Sequence, residues 1–253
     1  MTARVPVPLD LPPADPPVVV VGDVHLSPDH PDVADAFEAW LAGLAGRCAT
    51  LVLLGDVFDA WVGRAQGREP FVRRFTDRLA ALRAGGVRVA FQGGNRDFAF
   101  DGVDGLDLEL WPDVVRTRWG ERTVVLTHGD LLCSADARYQ RMRRLLRSAP
   151  VGAVRAALPY AAARYVARGL RRLSEREVAR KPYATMGLDY GLVRRWLDVL
   201  DADVLVAGHV HTGVHHRRDD GGRRRDVLVL KDWDAGGGVV VWDGRTAALV
   251  APT

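Results

Sequence analysis

The stretch TLVLLGDVFD, Thr50–Asp59, decides the fold. Four apolar residues, Leu51–Leu54, run into Gly55, and two aspartates, Asp56 and Asp59, follow at once. A continuous apolar run reads as a strand covered on both faces, and the glycine lets the chain turn sharply where the strand stops. The same design recurs along the chain. VVVVGDVH offers strand Val18–Val21, then Asp23 and His25; VRVAFQGGN offers Val87–Phe91, then Asn95. TVVLTHGD offers Val124–Leu126, then His128, and DVLVAGHVH offers Val204–Val206, then His209 and His211. One Asp or His after a strand is usually a turn former or a cap. Five repeats make coincidence the weaker reading.

Between the first three runs, Phe37, Trp40, Leu41 and Leu44 keep helical spacing, as do Phe71, Phe75, Leu79 and Leu82. Strand, helix, strand implies an α/β sheet, whose ligands gather beyond the carboxyl ends of the strands. At 253 residues the chain can bury a large core as one domain, or as a domain carrying an insertion. A net charge of +3 does not imply nucleic acid, and Lys181 and Lys231 are the only lysines. Cys48 and Cys133 make no disulfide framework, which suits a reducing cytosol. No apolar run reaches the length of a membrane span and no secretory signal opens the chain, so a cytoplasmic protein is expected. VPVPLDLPPADPP, Val5–Pro17, is too proline-rich for a helix or a central strand and reads as an extended, partly disordered lead.

Asp, Asn and His together make an oxygen-and-nitrogen donor set suited to manganese, iron or zinc. Seven such residues, Asp23, His25, Asp56, Asn95, His128, His209 and His211, are too many for one tetrahedral ion. Two ions about 3.5–4 Å apart, bridged by a carboxylate, use them naturally and hold a hydroxide able to attack phosphorus at neutral pH.

With GDVH, GDVFD, GNRD, THGD and GHVH in that order from Gly22 to His211, the chain resembles the calcineurin-like metallophosphoesterases. The resemblance implies a four-layer α/β/β/α sandwich and two divalent metal ions, most naturally Mn²⁺. Carried over by position, Asp23, His25, Asp56 and His211 bind one ion. Asp56, Asn95, His128 and His209 bind the other, with Asp56 bridging. Many members have histidine after the asparagine, where this chain has Arg96. GNRDF, with GDVFDAW at Gly55–Trp61 and HGDLLCSADARYQRMR at His128–Arg143, resembles a narrower group, the UDP-2,3-diacylglucosamine pyrophosphatases of lipid A synthesis. These release UMP and 2,3-diacylglucosamine 1-phosphate, by attack at the α-phosphorus. A departing phosphate, with its second pKa near about 6, leaves without a proton. Fixed guanidinium charge then serves better than an acid, so Arg96 favours a phosphoanhydride substrate. Asn95, Arg96 and His128 are the expected catalytic residues, with His209 also facing substrate.

About eighty residues separate His128 from His209, far more than a sheet connection needs. This segment is rich in arginine, carries apolar residues at helical spacing, and is broken by Pro150 and Pro159. Periodicity alone leaves open a packed helical subdomain with a basic face, a lid over acyl chains at an anionic membrane, or a nucleic-acid surface. The resemblance favours the lid, with no nucleic-acid partner and a peripheral place on the inner membrane. The expected division is a lead over 1–17, a core over 18–135 and 191–253, and a lid over 136–190. Asp136, Tyr139 and Arg143 match the family's pattern for the substrate side, and Arg180, Lys181 and Asp189 match it imperfectly. Pro182 and Tyr183 depart from it.

His30, His215 and His216 are read as non-ligands, Cys133 as a packing residue, and Trp61 and Trp233 as core or lip. Asp130 is expected to orient His128 or its loop, and DDGGRRRD, Asp219–Asp226, to form a hairpin turn. Two rivals remain: another phosphodiesterase or nuclease on the same core, and a binding module that keeps the fold without catalysis. The second usually loses ligands, and all seven are present here.

Overall fold

Valine-rich strands order the chain from its start. A computed structural model describes residues 5–178 and 187–252. In chain order, β1 (Leu9–Asp10) and β2 (Val18–Val21) lead to α1 (Pro31–Gly43), β3 (Thr50–Leu54), α2 (Pro70–Ala84) and β4 (Arg88–Gln92). Next come β5 (Glu109–Trp111), β6 (Val114–Trp119) and β7 (Arg122–Thr127). Three helices follow, α3 (Ala137–Leu146), α4 (Ala149–Ala157) and α5 (Tyr160–Val178), then α6 (Tyr190–Val199) and β8 (Val204–Ala207). The last strands are β9 (Val214–Asp220), β10 (Arg223–Val229), β11 (Val239–Trp242) and β12 (Ala247–Val250).

The strands form two six-stranded sheets, ordered β12-β11-β2-β3-β4-β5 and β1-β6-β7-β8-β10-β9. Within them β2, β3 and β4 run parallel, as do β7 and β8. Alternate residues of each strand feed different cores. Val18, Val20, Val52 and Leu54 meet Leu126 and Val206 between the sheets. Val19, Val21, Leu51 and Leu53 pack outward with Phe37 and Phe75 of α1 and α2. Val193 and Trp196 of α6 cover Leu205 and Val229 on the far side. Helices outside and sheets inside make four layers, α/β/β/α. Both faces of the central strands are covered, which is why they read as unbroken apolar runs. Each buried Val or Leu contributes about 1.5–3 kcal/mol, so a charge at Val20 or Leu53 would break the stack.

The lead is extended, and part of it pairs with a sheet. Leu9 and Asp10 pair in parallel with Val115 and Arg116, making β1 an edge strand. Leu11 N donates to Arg116 O at 2.8 Å, Ala14 N to Arg118 O at 3.0 Å, and Arg116 Nη2 to Asp10 Oδ2 at 3.0 Å. An edge strand needs donors on one side only, so its prolines do no harm. In the insertion, Pro150 sits in the first turn of α4 and Pro159 just before α5, where a missing N–H breaks no helical bond. Asp189 caps α6, accepting from Gly191 N and Leu192 N at 3.0 Å each. The turn in DDGGRRRD joins β9 to β10 with Gly221 and Gly222 at φ 65° and 89°.

Candidate metal centre

The loops after β2, β3, β4, β7 and β8 converge at one end of the two sheets. Asp23, His25, Asp56, His209 and His211 all have positive φ, between 51° and 68°. Such a backbone strains a residue with a side chain, and it turns these donors toward a common point. His25 Nε2 lies 3.6 Å from Asp56 Oδ2, and His128 Nε2 lies 3.6 Å from Asp56 Oδ1. His211 Nε2 lies 3.2 Å from Asp23 Oδ1, and His209 N donates to Asp23 Oδ2 at 3.0 Å. Asn95 Oδ1 lies 2.7 Å from His209 Nδ1 and 3.1 Å from His128 Nε2. All seven residues singled out in the sequence therefore lie together. Among the described residues, two compact donor groups emerge, Asp23–His25–His211 and Asp23–Asp56–His128. Asp23 belongs to both, while the two oxygens of Asp56 face His25 and His128 separately.

The surroundings fit divalent ions. Asp23 and Asp56 are buried, and the buried His25 Nε2 has no hydrogen-bond partner. A Cβ on Gly94 would stand 2.9 Å from Asp56 Cγ and 2.5 Å from Asp56 N, so only glycine lets the loops meet. Burial pushes the Asp56 carboxyl up, but the charges of His128, Arg96 and His25 outweigh it, and its pKa falls. Asp23 behaves alike, with burial outweighed by His211 and His128. Burial and the nearby charge of His128 push His209 down to about 4, which keeps it neutral and able to donate a lone pair. For His128, burial is outweighed by Asp56, Asp23 and Asp130, and its pKa rises. Its Nδ1 donates to Leu54 O at 3.2 Å, leaving Nε2 to face the cluster. Asp130, expected to orient this ring or its loop, makes no hydrogen bond to the ring.

Asp130 instead serves α3, accepting from Tyr139 Oη and Arg143 Nε, each at 2.6 Å. Burial raises its carboxyl, but Arg143 and His128 outweigh that and bring it to about 2. Burial together with Asp130 raises Tyr139, while Asp130 and Asp113 hold Arg143 above its ordinary value despite burial. Arg143, given a substrate-side role from sequence, is bound to two carboxylates, and with Tyr139 it also lines the groove described below. Asp136 caps α3 through Tyr139 N at 3.0 Å and does not line the groove described below. Arg180 and Lys181 lie outside the described residues.

Other residues act here that the sequence reading left without a role. Asp59 does not join the donors. It accepts from Arg96 Nη1 at 2.6 Å and lies 2.9 Å from Arg171 Nη2 of α5, so two guanidinium groups meet on one carboxylate. Asp97, fully buried, accepts four backbone N–H groups, from Asp56, Val57, Phe58 and Gly94. Burial and the charge of Asp56 push its carboxyl up to about 6, against the pull of those bonds. Beside Asn95 and Arg96 opens a groove of about 340 Å³, lined largely by apolar residues, including Trp61, Met142, Leu146, Val154, Val166 and Leu170.

The residues set aside behave as expected. His215 pairs with Asp226 at 2.8 Å and His216 with Tyr190 at 2.8 Å, on opposite faces of β9. His30 stands at the N-cap of α1 without a side-chain capping bond. Trp233 packs on Phe37 and Trp40. Burial pushes the Cys133 thiol up to about 12, far from a reactive thiolate.

The family model for calcineurin-like phosphoesterases matches residues 16–213. A protein of Pseudomonas syringae pv. tomato named UDP-2,3-diacylglucosamine hydrolase is 35% identical over 230 residues, covering 89% of this chain and 92% of its own. One of the same name from Pseudomonas aeruginosa is 35% identical over 224 residues, covering 87% and 92%. Among solved structures, a dimetal phosphatase from Danio rerio aligns at 12% identity and TM-score 0.44, covering 94% and 99% of the two chains. Vacuolar protein sorting 29 from Cryptosporidium parvum aligns at 16% and 0.45, covering 92% and 88%. The match of the family model across every one of the five donor loops leaves one conclusion: this chain belongs to the calcineurin-like phosphoesterases, a family of hydrolases.

Proposed function

We propose that this chain hydrolyses the diphosphate of UDP-2,3-diacylglucosamine, releasing UMP and 2,3-diacylglucosamine 1-phosphate, with two divalent metal ions. The observation that carries the reading is a seven-donor cluster beside an apolar groove whose lining includes Asn95 of the cluster and the guanidinium groups of Arg96 and Arg171. The shared name of the relatives supports the same substrate. Asp23, His25, Asp56 and His211 would hold one ion, and Asp56, Asn95, His128 and His209 the other. Mn²⁺ suits this oxygen-and-nitrogen set. Such ions supply Lewis acidity toward phosphoryl oxygens and toward water.

The chain's own side chains do the rest. The Leu54 carbonyl fixes the tautomer of His128, so Nε2 faces inward. Asn95 places its oxygen between the rings of His128 and His209, where all three face one point. Arg96 and Arg171, both held by Asp59, place fixed positive charge where an anionic sugar phosphate enters the groove. A leaving group that needs no proton calls for that charge rather than for an acid. Residues 136–190 then act as a lid, with Val166 and Leu170 of α5 offering hydrocarbon to the acyl chains.

A peripheral place on the cytoplasmic face of the inner membrane fits the outer side of α5. There Tyr165 is 81% exposed and Leu173 58%, beside exposed Arg168 and Arg172. No helix among the described residues is long and apolar enough to cross a membrane. The test is hydrolysis with Mn²⁺ of UDP-2,3-diacylglucosamine, UDP-N-acetylglucosamine and bis-p-nitrophenyl phosphate, with products identified by mass. UMP from the diacyl substrate, and little from the sugar nucleotide without acyl chains, is expected. Turnover of the diester with the diacyl substrate untouched would sink the lipid assignment.

A further inference from the structure

The insertion and the metal centre meet at one arginine. Arg147, the C-cap residue of α3, donates from Nη2 to the Gly94 carbonyl at 2.8 Å and from Nη1 to Asp113 Oδ1 at 2.5 Å. Its guanidinium carbon also lies 5.1 Å from the centre of the Phe98 ring. Gly94 and Phe98 are the two ends of GNRDF, with Asn95 and Arg96 between them. One planar side chain therefore holds both ends of the loop, and a carboxylate fixes that side chain in turn. The other oxygen of Asp113 accepts from Arg143 Nη2 at 2.6 Å, and Arg143 continues to Asp130, two residues beyond His128. Tyr139, Arg143 and Arg147 stand four residues apart, so one face of α3 is keyed to both donor loops. Arg147 is 21% exposed and Asp113 36%, so these charge-assisted bonds are only partly weakened by water.

We propose that Arg147, oriented by Asp113, is a positioning residue for the metal centre. It sets the Gly94–Phe98 loop and through it the place of Asn95. The inserted helices are then part of the scaffold of the site as well as its cover. This rests on Asn95 being a metal ligand. A side chain that only shaped the groove would matter for the lipid substrate alone. One that places Asn95 matters for metal affinity and for a substrate too small to need the groove.

The experiment titrates the metal-free full-length chain with Mn²⁺ by calorimetry and measures turnover of bis-p-nitrophenyl phosphate. Partners that orient a metal ligand typically change affinity roughly 10-fold to 100-fold. Arg147→Ala should therefore bind Mn²⁺ at least about 10-fold more weakly, with kcat for the diester falling and KM little changed. Asp113→Asn should move both readouts the same way by less. Arg144→Ala, on the exposed side of α3, should match the wild type. Arg147→Lys keeps the charge but cannot make both bonds, and it should recover only part of the loss. It carries the test with Asp113→Asn if Arg147→Ala does not fold. Wild-type Mn²⁺ affinity and diester kcat in folded Arg147→Ala would overturn the proposal, assigning Arg147 to the groove. Asn95→Ala separates the two ideas. If it weakens Mn²⁺ binding while Arg147→Ala does not, the clamp alone fails. If Asn95→Ala binds Mn²⁺ like the wild type, the ligand reading fails and the clamp falls with it.

Discussion

Replacing Gly94 with alanine adds one methyl group where the two donor loops touch. Its Cβ would lie 2.5 Å from Asp56 N and 2.9 Å from Asp56 Cγ, whereas ordinary contact begins at 3.4 Å. Asp56 cannot retreat. Its Oδ1 accepts from Arg96 N at 2.8 Å, its own N donates to Asp97 Oδ1 at 3.1 Å, and its side chain is 2% exposed. The loops must separate instead, stretching those two bonds and the one from Gly94 N to Asp97 at 2.7 Å. At about 1 kcal/mol for each of the three weakened bonds, plus about 1–3 kcal/mol of overpacking, the folded state should lose about 4–6 kcal/mol. A displacement near 1 Å at a catalytic group costs on the order of 100-fold in rate. Gly94→Ala should therefore lower both the urea midpoint of the metal-free chain and the Mn²⁺-dependent kcat/KM on bis-p-nitrophenyl phosphate. Stability within about 0.5 kcal/mol of wild type, with kcat/KM within a few-fold, would refute the claim that this contact sets the donor spacing.

Three further outcomes are expected. Asp97→Asn puts an amide N–H₂ against two of the four backbone donors and should cost about 2–4 kcal/mol in chemical denaturation; an unchanged midpoint would contradict the count of bonds to that carboxylate. Leu170→Asp sets a charge in the groove and should reduce the preference for UDP-2,3-diacylglucosamine over the small diester by about 10-fold or more, read as a ratio of kcat/KM values. Asp226 is pushed up by burial but held below its ordinary pKa by Arg122 and His215. A depressed carboxylate contributes stability above its unfolded pKa of about 3.9 and loses it as pH falls further. Asp226→Asn should thus be less stable than wild type at neutral pH, and the gap should close below about pH 4. A gap that stays constant down to pH 3 would argue against the ionic account.

The sheets were legible because their strands are covered on both sides. Val18–Val21 and Leu51–Leu54 needed no alternation to be recognised, and the donors stood just past each strand end. Helix ends in the insertion were legible for a similar local reason, since Pro150 and Pro159 punctuate the chain. What stayed hidden depends on partners far along the sequence. Periodicity makes Arg143 one more basic residue of an amphipathic helix and the resemblance gives it a substrate-side role, but neither shows its bond to Asp113, thirty residues earlier. Asp59 resembles a donor after a strand, and only the approach of Arg96 and Arg171 shows that it binds cations of the chain itself. The lead reads as extended but unpaired, because composition says nothing of the open edge of β6 on which it docks. Asp136 carried a local signal that could have been weighed more heavily, an aspartate immediately before a helical run, which favours a cap.

The donors are divided between the sheets. Asp23, His25, Asp56 and Asn95 follow strands of one, and His128, His209 and His211 follow strands of the other. Elsewhere the sheets meet through side chains such as Val20, Leu54 and Leu126, which slide as readily as they grip. An ion coordinated from both halves acts as a rivet between them, and a rivet resists shear in a way that oil-like contact does not. Loading is then also a thermometer: at free ion about 100 times Kd, each site adds about 2.7 kcal/mol to unfolding. The melting curve of the chain would report the metal status of its surroundings before any substrate is turned over.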